Sequence, residues 1–159
     1  MGQNDYKNNR NNYNSGNTER EKISASVQFK SLNFNVEWIT KGATSAMVTA
    51  AEQAGKYMAE NGLKSSKIRS IYGEVKRIQM KGFKEEKTAF YLLKPKVAYA
   101  VGREKQTNKN NNMKGLLLFQ LIFDQCFQYV TNDATYKNFS NLMEAILAYH
   151  KAYVENDDK

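Results

Sequence analysis

The sequence predicts an all-α protein, a compact single-domain bundle of about five helices behind a disordered N-terminal arm. One Pro and nine Gly in 159 residues are too few for the tight turns of an all-β chain. Long stretches repeat their apolar residues at three- and four-residue intervals, the spacing of a helix face. Residues 1–22, by contrast, hold seven Asn and almost no aliphatic side chain, too little apolar surface to offset the entropy of ordering. At this length one domain buries roughly 68% of its unfolded surface. The expected division is an Asn-rich arm over 1–22, a helical domain over 23–155 and a frayed tail over 156–159.

The elements follow in order. In residues 23–41, Leu32, Phe34, Val36 and Trp38 alternate as in a strand. A lone strand is not stable without a partner, so this segment reads as extended or partly helical, its aromatics packed on the domain. From Thr44, a capping residue, Met47, Ala51, Ala54 and Met58 form one helix face, and Asn61-Gly62 is a stop signal. A second helix starts at Ser65 or Ser66, with Ile68, Ile71, Val75 and Ile78 as its apolar stripe and Gly82 at its end. Arg69, Gly73, Lys76 and Met80 share one flank of it, Lys67 lies on the other, and Arg77 points away from the core.

Residues 85–105 form a third helical region. Pro95 either kinks one helix or begins a second, because it removes a donor and disfavours helix at Lys94. Beyond it Lys96, Tyr99 and Arg103 share a face, placing two cations around one aromatic ring. A polar loop over 104–112 leads to Met113–Val130, which is apolar on most sides and therefore the expected core helix. The last helix spans about Thr135 to Val154. His150, the one histidine, lies on or beside its apolar stripe with Phe139, Leu142, Met143 and Ile146, which reads as a packed side chain bonded to a neighbour.

Charge is concentrated in one place. Residues 64–109 carry 13 Lys or Arg against four Glu, a net of +9, while the rest of the chain carries 11 basic and 12 acidic side chains. Such a segment is either a solvated helix face or the footprint of a polyanion binder. Ten of its cations are Lys, which suits point contacts to phosphate more than bidentate reading of bases. Tyr72, Phe83 and Tyr99 lie among them and could stack on bases or edge the core.

Catalytic classes find little support. A single Cys126, set in an apolar run, excludes an intramolecular disulfide and fits a reducing compartment. One His and one Cys, 24 residues apart, make neither a zinc site nor a nucleophile–base pair with a presenting elbow, and no phosphate-cradling Gly run is present. The expectation is therefore no enzyme, no catalytic residue, no metal and no cofactor. No signal-peptide core or membrane span is legible, which predicts a soluble cytoplasmic protein.

Three strings occur in order: KIRSIYGEV at 67–75, LLKPKVAYAVGR at 92–103 and LMEAILAYHK at 142–151. Together they resemble the small helical subunit of type III-A CRISPR–Cas (Csm) effector complexes, over residues 44–153. The resemblance implies a non-catalytic helical bundle from a prokaryotic cytoplasm, several copies of which stack along an antiviral ribonucleoprotein. Its implied partners are the other Csm subunits, further copies of itself, and the duplex of guide and target RNA, chiefly the target strand. Carried onto the matching positions, it makes Lys67, Arg69, Lys76, Lys96 and Arg103 RNA-contact candidates, with Arg77 secondary. Tyr99 joins them from its place between two cations. The expectation is that the Arg69–Lys76 flank and the Lys96–Arg103 face line one groove. The arm, residues 23–41 and the 104–112 loop look like additions to the family core and inherit no role. Two other classes stay open: a structural scaffold without RNA contact, and, less favoured, a DNA-binding regulator, for which the turn-and-helix signature is missing.

Overall fold

A computed structural model describes residues 5–107 and 112–154. Within them the chain forms seven α-helices and no strand: α1 (Asp5–Ser31), α2 (Glu37–Thr40), α3 (Ser45–Glu60), α4 (Ser65–Lys81), α5 (Lys87–Thr107), α6 (Lys114–Phe127) and α7 (Asp133–Tyr153). The all-α expectation holds, and the expected count of about five is corrected to seven. The two additional helices are the ones whose sequence lacks a helical apolar period. α2 has only four residues, too short to show one, and α1 is polar along most of its length.

Helix α1 begins inside the stretch whose composition predicts an arm. Residues 1–4, 108–111 and 155–159, the last taking in the expected 156–159 tail, lie outside the described residues, and the expected 104–112 loop is corrected in its first part, since 104–107 continue α5. α1 gains tertiary partners in its C-terminal half, where Glu21 and Ala25 are buried and Ser24 and Tyr57 share a hydroxyl hydrogen bond of 3.0 Å. Deleting residues 1–17 removes none of these contacts. The expected result is a melting temperature within a degree or two of the full chain. A larger drop by thermal denaturation would make the N-terminal stretch part of the folded unit.

The alternation at 32–38 is a turn rather than a strand. Asn33 adopts a positive φ of 51°, which reverses the chain after α1. Asn35 Oδ1 then accepts the Glu37 amide at 2.9 Å, an Asx-type turn that leads into α2. Leu32 and Trp38 are buried, and Phe34 meets Trp38 edge-on at 5.5 Å between centroids. The aromatics of this segment thus pack on the domain as expected.

Helix ends follow the side-chain chemistry. Thr44 Oγ1 accepts from the Met47 amide at 3.2 Å to open α3, and Gly62, at φ 86°, closes it. Asn132 and Thr135 form a reciprocal capping box at the start of α7. α5 is one helix with Pro95 inside it. Pro95 is exposed and its neighbours Leu93 and Val97 are fully buried, so packing on both sides carries the helix through the missing donor.

α3 packs chiefly on α7, and α6 lies against α1, α3 and α5. Leu116, Leu117, Leu118, Phe119, Ile122, Phe123 and Cys126 of α6 are all buried, as its apolar run predicts. His150 is fully buried, and its Nε2–H donates to the Leu63 carbonyl at 2.7 Å. The close approach of α3 and α7 depends on Gly55. A Cβ there would stand 2.7 Å from the His150 amide nitrogen and 2.9 Å from the Ile146 carbonyl oxygen, both backbone atoms that cannot swing aside. Gly73, in the middle of α4, has nothing within 4 Å of its Cβ position. The same substitution should therefore change sign between the two sites. Gly73→Ala is expected to raise stability by up to about 1 kcal/mol through helix propensity. Gly55→Ala is expected to lower it by about 1–3 kcal/mol through overpacking. Urea titrations of both variants check this, and a stabilised Gly55→Ala would mean that the two helices can separate at little cost.

Candidate functional site

The basic segment folds into α4, α5 and the turn between them. Their apolar stripes face inward: Ile68, Val75 and Ile78 from α4, and Phe90, Leu93, Val97 and Val101 from α5, are all buried. The two helices leave a surface groove of about 340 Å³ between them. Ile71, Leu93, Val97 and Ala100 give it an apolar base, and Lys67, Ser70 and Glu74 from α4 face Lys96, Tyr99 and Arg103 from α5 across it.

Four of the seven residues singled out from the sequence thus meet in one place: Lys67, Lys96, Tyr99 and Arg103. Tyr99 is 69% exposed, a solvent-facing ring rather than a core-edge one. Arg69 and Lys76 do not line the groove. They stand about 180–200° around α4 from Lys67 at 3.6 residues per turn, on the opposite flank. The expectation of one groove lined by both pairs is therefore corrected, since the azimuth of α4 relative to α5 turns Arg69 and Lys76 away. Lys76 instead lies 3.9 Å from Glu144 of α7 and 6.0 Å from the centre of the Tyr72 ring. Tyr72 is half-buried against the core, so of the three aromatics within the cations only Tyr99 stands open; Phe83 is buried.

Arg77 is engaged within the chain. Its guanidinium donates to both Glu74 oxygens, at 2.8 and 3.1 Å, and to Glu86 at 3.3 Å. These bonds hold the guanidinium protonated to well above its ordinary range. On the other side, the Arg77 hydrogen bond holds the Glu74 carboxyl below the usual carboxylate range, aided by the charges of Arg77 and Lys96. Glu74 is thus a fixed anion in the groove wall.

Lys67 forms an ion pair with Glu104 that ties α4 to α5 at the end of the groove. Glu74 and Glu104 went unnoticed in the sequence as site residues. Glu74 was findable, since it is seven residues from Lys67 and so shares its face. The Lys67–Glu104 pairing, 37 residues apart, had no sequence signal. Its consequence is a redistribution of charge. Among the described residues Glu104 pairs with Lys67, and Glu74 and Glu86 pair with Arg77, so three of the segment's four Glu are engaged along α4, α5 and the turn between them. The surplus is therefore spread over the open faces of α4 and α5, with Lys94, Lys96, Arg103 and Lys105 all exposed on α5.

Among the described residues no group of three His, Cys, Asp or Glu side chains is placed to hold a metal ion. No described helix is long and apolar enough to cross a membrane. Cys126 is fully buried, and loss of hydration pushes its thiol far above the ordinary cysteine range. It and His150 are both sealed from solvent.

No curated protein and no solved structure matches the chain. A sequence model of the family Csm2 Type III-A matches residues 41–156, which takes in α3 to α7 and with them the whole groove. This chain belongs to the Csm2 type III-A family, the small subunits of the type III-A Csm complex.

Proposed function

We propose that this chain is a non-catalytic small subunit that stacks in several copies along the Csm complex and contacts the target-RNA backbone within the guide–target duplex, in a prokaryotic cytoplasm. The observation that carries this reading is the meeting of Lys96 and Arg103 with Tyr99 on the open face of α5, beside the groove, inside the one strongly basic part of the chain. Phosphate contact needs cations held in register without base-reading geometry, and seven residues of helix separate Lys96 from Arg103 by about 10.5 Å along its axis. A non-catalytic role is supported by the burial of both Cys126 and His150, which places neither within reach of a substrate.

One observation favours the scaffold reading. Tyr91 and Leu92, on the same helix, are 55% and 52% exposed, the kind of surface apolar pair that another protein could cover. The two readings part on salt. A scaffold holds its protein neighbours with or without RNA, whereas an RNA-facing subunit makes RNA retention fall steeply as salt rises. Replacing Lys96 and Arg103 and weighing the intact complex by native mass spectrometry tests the proposal directly. Weakened RNA binding at full subunit stoichiometry supports it, and missing copies of this subunit before RNA is added refute it.

A further inference from the structure

The groove has more in it than backbone contact requires. Cations on an open helix face suffice to follow a phosphate chain. Here the cations border a recess whose base is apolar, with Leu93 and Val97 fully buried beneath it. Its α4 wall offers the Ser70 hydroxyl and the ionised Glu74 carboxylate, while Tyr99 presents an exposed ring on the α5 wall. An apolar surface beside an aromatic ring suits a flat partner. A hydroxyl and an acceptor along one wall suit a partner with hydrogen-bonding edges. At about 340 Å³ the recess lies at the lower end of the range of roughly 300–1,000 Å³ for small-ligand sites. It is sized for one unit of a polymer, not for a length of it.

We propose that the α4–α5 groove receives a single unpaired nucleotide of the bound RNA, its base stacked on Tyr99 over the apolar floor and its phosphate held by Lys96 and Arg103. The proposal rests on the RNA-contact reading above and adds the base to it. A base inside a duplex shows only its edges, so contact with its face requires that it be unstacked from its neighbours. Stacking of this kind tolerates any base, because every base has a π-face. Glu74 adds a preference within that tolerance, since a carboxylate accepts from the exocyclic amine of cytosine, adenine or guanine and finds none on uracil. Arg77 leaves it able to do so, because a carboxylate has about four acceptor positions and the guanidinium occupies two.

Photo-crosslinking in the assembled complex tests this. Target RNA carrying 4-thiouridine or, in a parallel sample, 6-thioguanosine is irradiated on the full-length protein and digested with trypsin, which releases residues 97–103 as one peptide with Tyr99 as its one aromatic residue. The expected result is a nucleoside adduct on that peptide from at least one of the two probes. Tyr99→Ala is expected to weaken RNA retention by about tenfold, and Tyr99→Phe, which keeps the ring, by less than about twofold. Absence of the adduct, with RNA retention still weakened by replacing Lys96 and Arg103, would overturn the nucleotide site and leave backbone contact standing. Absence of the adduct together with unchanged retention in the Lys96 and Arg103 variant would overturn both.

Discussion

Replacing Lys96 and Arg103 together with Ala is expected to weaken target-RNA binding by the assembled complex about a hundredfold. A hydrogen bond to a charged group contributes at least about 1.5 kcal/mol, and about 1.4 kcal/mol is a factor of ten, so each lost contact costs about tenfold. Phosphate contacts carry no sequence information, so the loss should be the same for every guide. The slope of log affinity against log salt should flatten by about 0.9 for each duplex phosphate released, about 1.8 for the pair. Folding should hardly respond, because both residues are exposed on α5 and surface substitutions mostly stay within about 0.5 kcal/mol. Arg69→Ala with Lys76→Ala makes the informative comparison. That pair lies on the opposite flank of α4, with Lys76 beside Glu144. A loss confined to Lys96 and Arg103 places the RNA along the α5 face. An equal loss from both pairs would require RNA on two faces of the bundle, and loss from Arg69 and Lys76 alone would move the site off the groove.

The sequence made the helices of the bundle legible wherever burial imposed a period. α3, α4, α6 and α7 each bury one stripe or most of their surface, and that stripe is written in the residues at three- and four-residue spacing. The stop signals at Gly62 and Gly82 were legible too, because a positive φ is a local requirement with a local residue preference. The segment at 32–38 fits its reading as partly helical with packed aromatics, and its alternation arises because a tight turn followed by a four-residue helix can place apolar residues at alternate positions without being a strand. Its local determinants, Asn33 at positive φ and Asn35, whose side chain accepts the Glu37 amide ahead of α2, are polar residues that carry no period. For the site, spacing alone assigns each helix face: it sets Lys67 apart from Arg69 and Lys76 and groups Lys96, Tyr99 and Arg103. What spacing does not contain is the rotation of one helix against the next. That rotation is fixed by long-range packing, with Ile68, Val75 and Ile78 turned inward against neighbours distant in the chain. It decided that Lys67 and Glu74, rather than Arg69 and Lys76, face α5.

Phe90→Ala is expected to cost about 3–5 kcal/mol of stability. Phe90 is fully buried at the start of α5, and four rings from three other parts of the chain surround it. Phe127 of α6 stacks on it at 4.8 Å between centroids. Phe83, from the turn after α4, and Tyr136 and Phe139, from α7, meet it edge-on at 5.3, 5.6 and 5.8 Å. Edge-to-face contacts place ring hydrogens over a π-face, so each adds to the burial term and vanishes with the ring. The neighbours cannot close the space, since Tyr136 is itself held by a hydrogen bond from its hydroxyl to the Val75 carbonyl at 2.5 Å. For a chain of this length each kcal/mol lost shifts the melting temperature by about 2–4 °C, so a fall of about 10 °C is expected. Phe90→Leu should lose less, because it keeps most of the volume and gives up the ring contacts alone. The same defect loosens the N-terminal anchor of the helix that carries Lys96, Tyr99 and Arg103. RNA binding by Phe90→Ala should therefore be measured well below its new melting temperature, where the fold is intact. Thermal melts of the two variants decide the point: a fall of less than about 3 °C in Phe90→Ala would mean that the aromatic cluster relaxes freely and that α5 is held by its contacts elsewhere on α4 and α6.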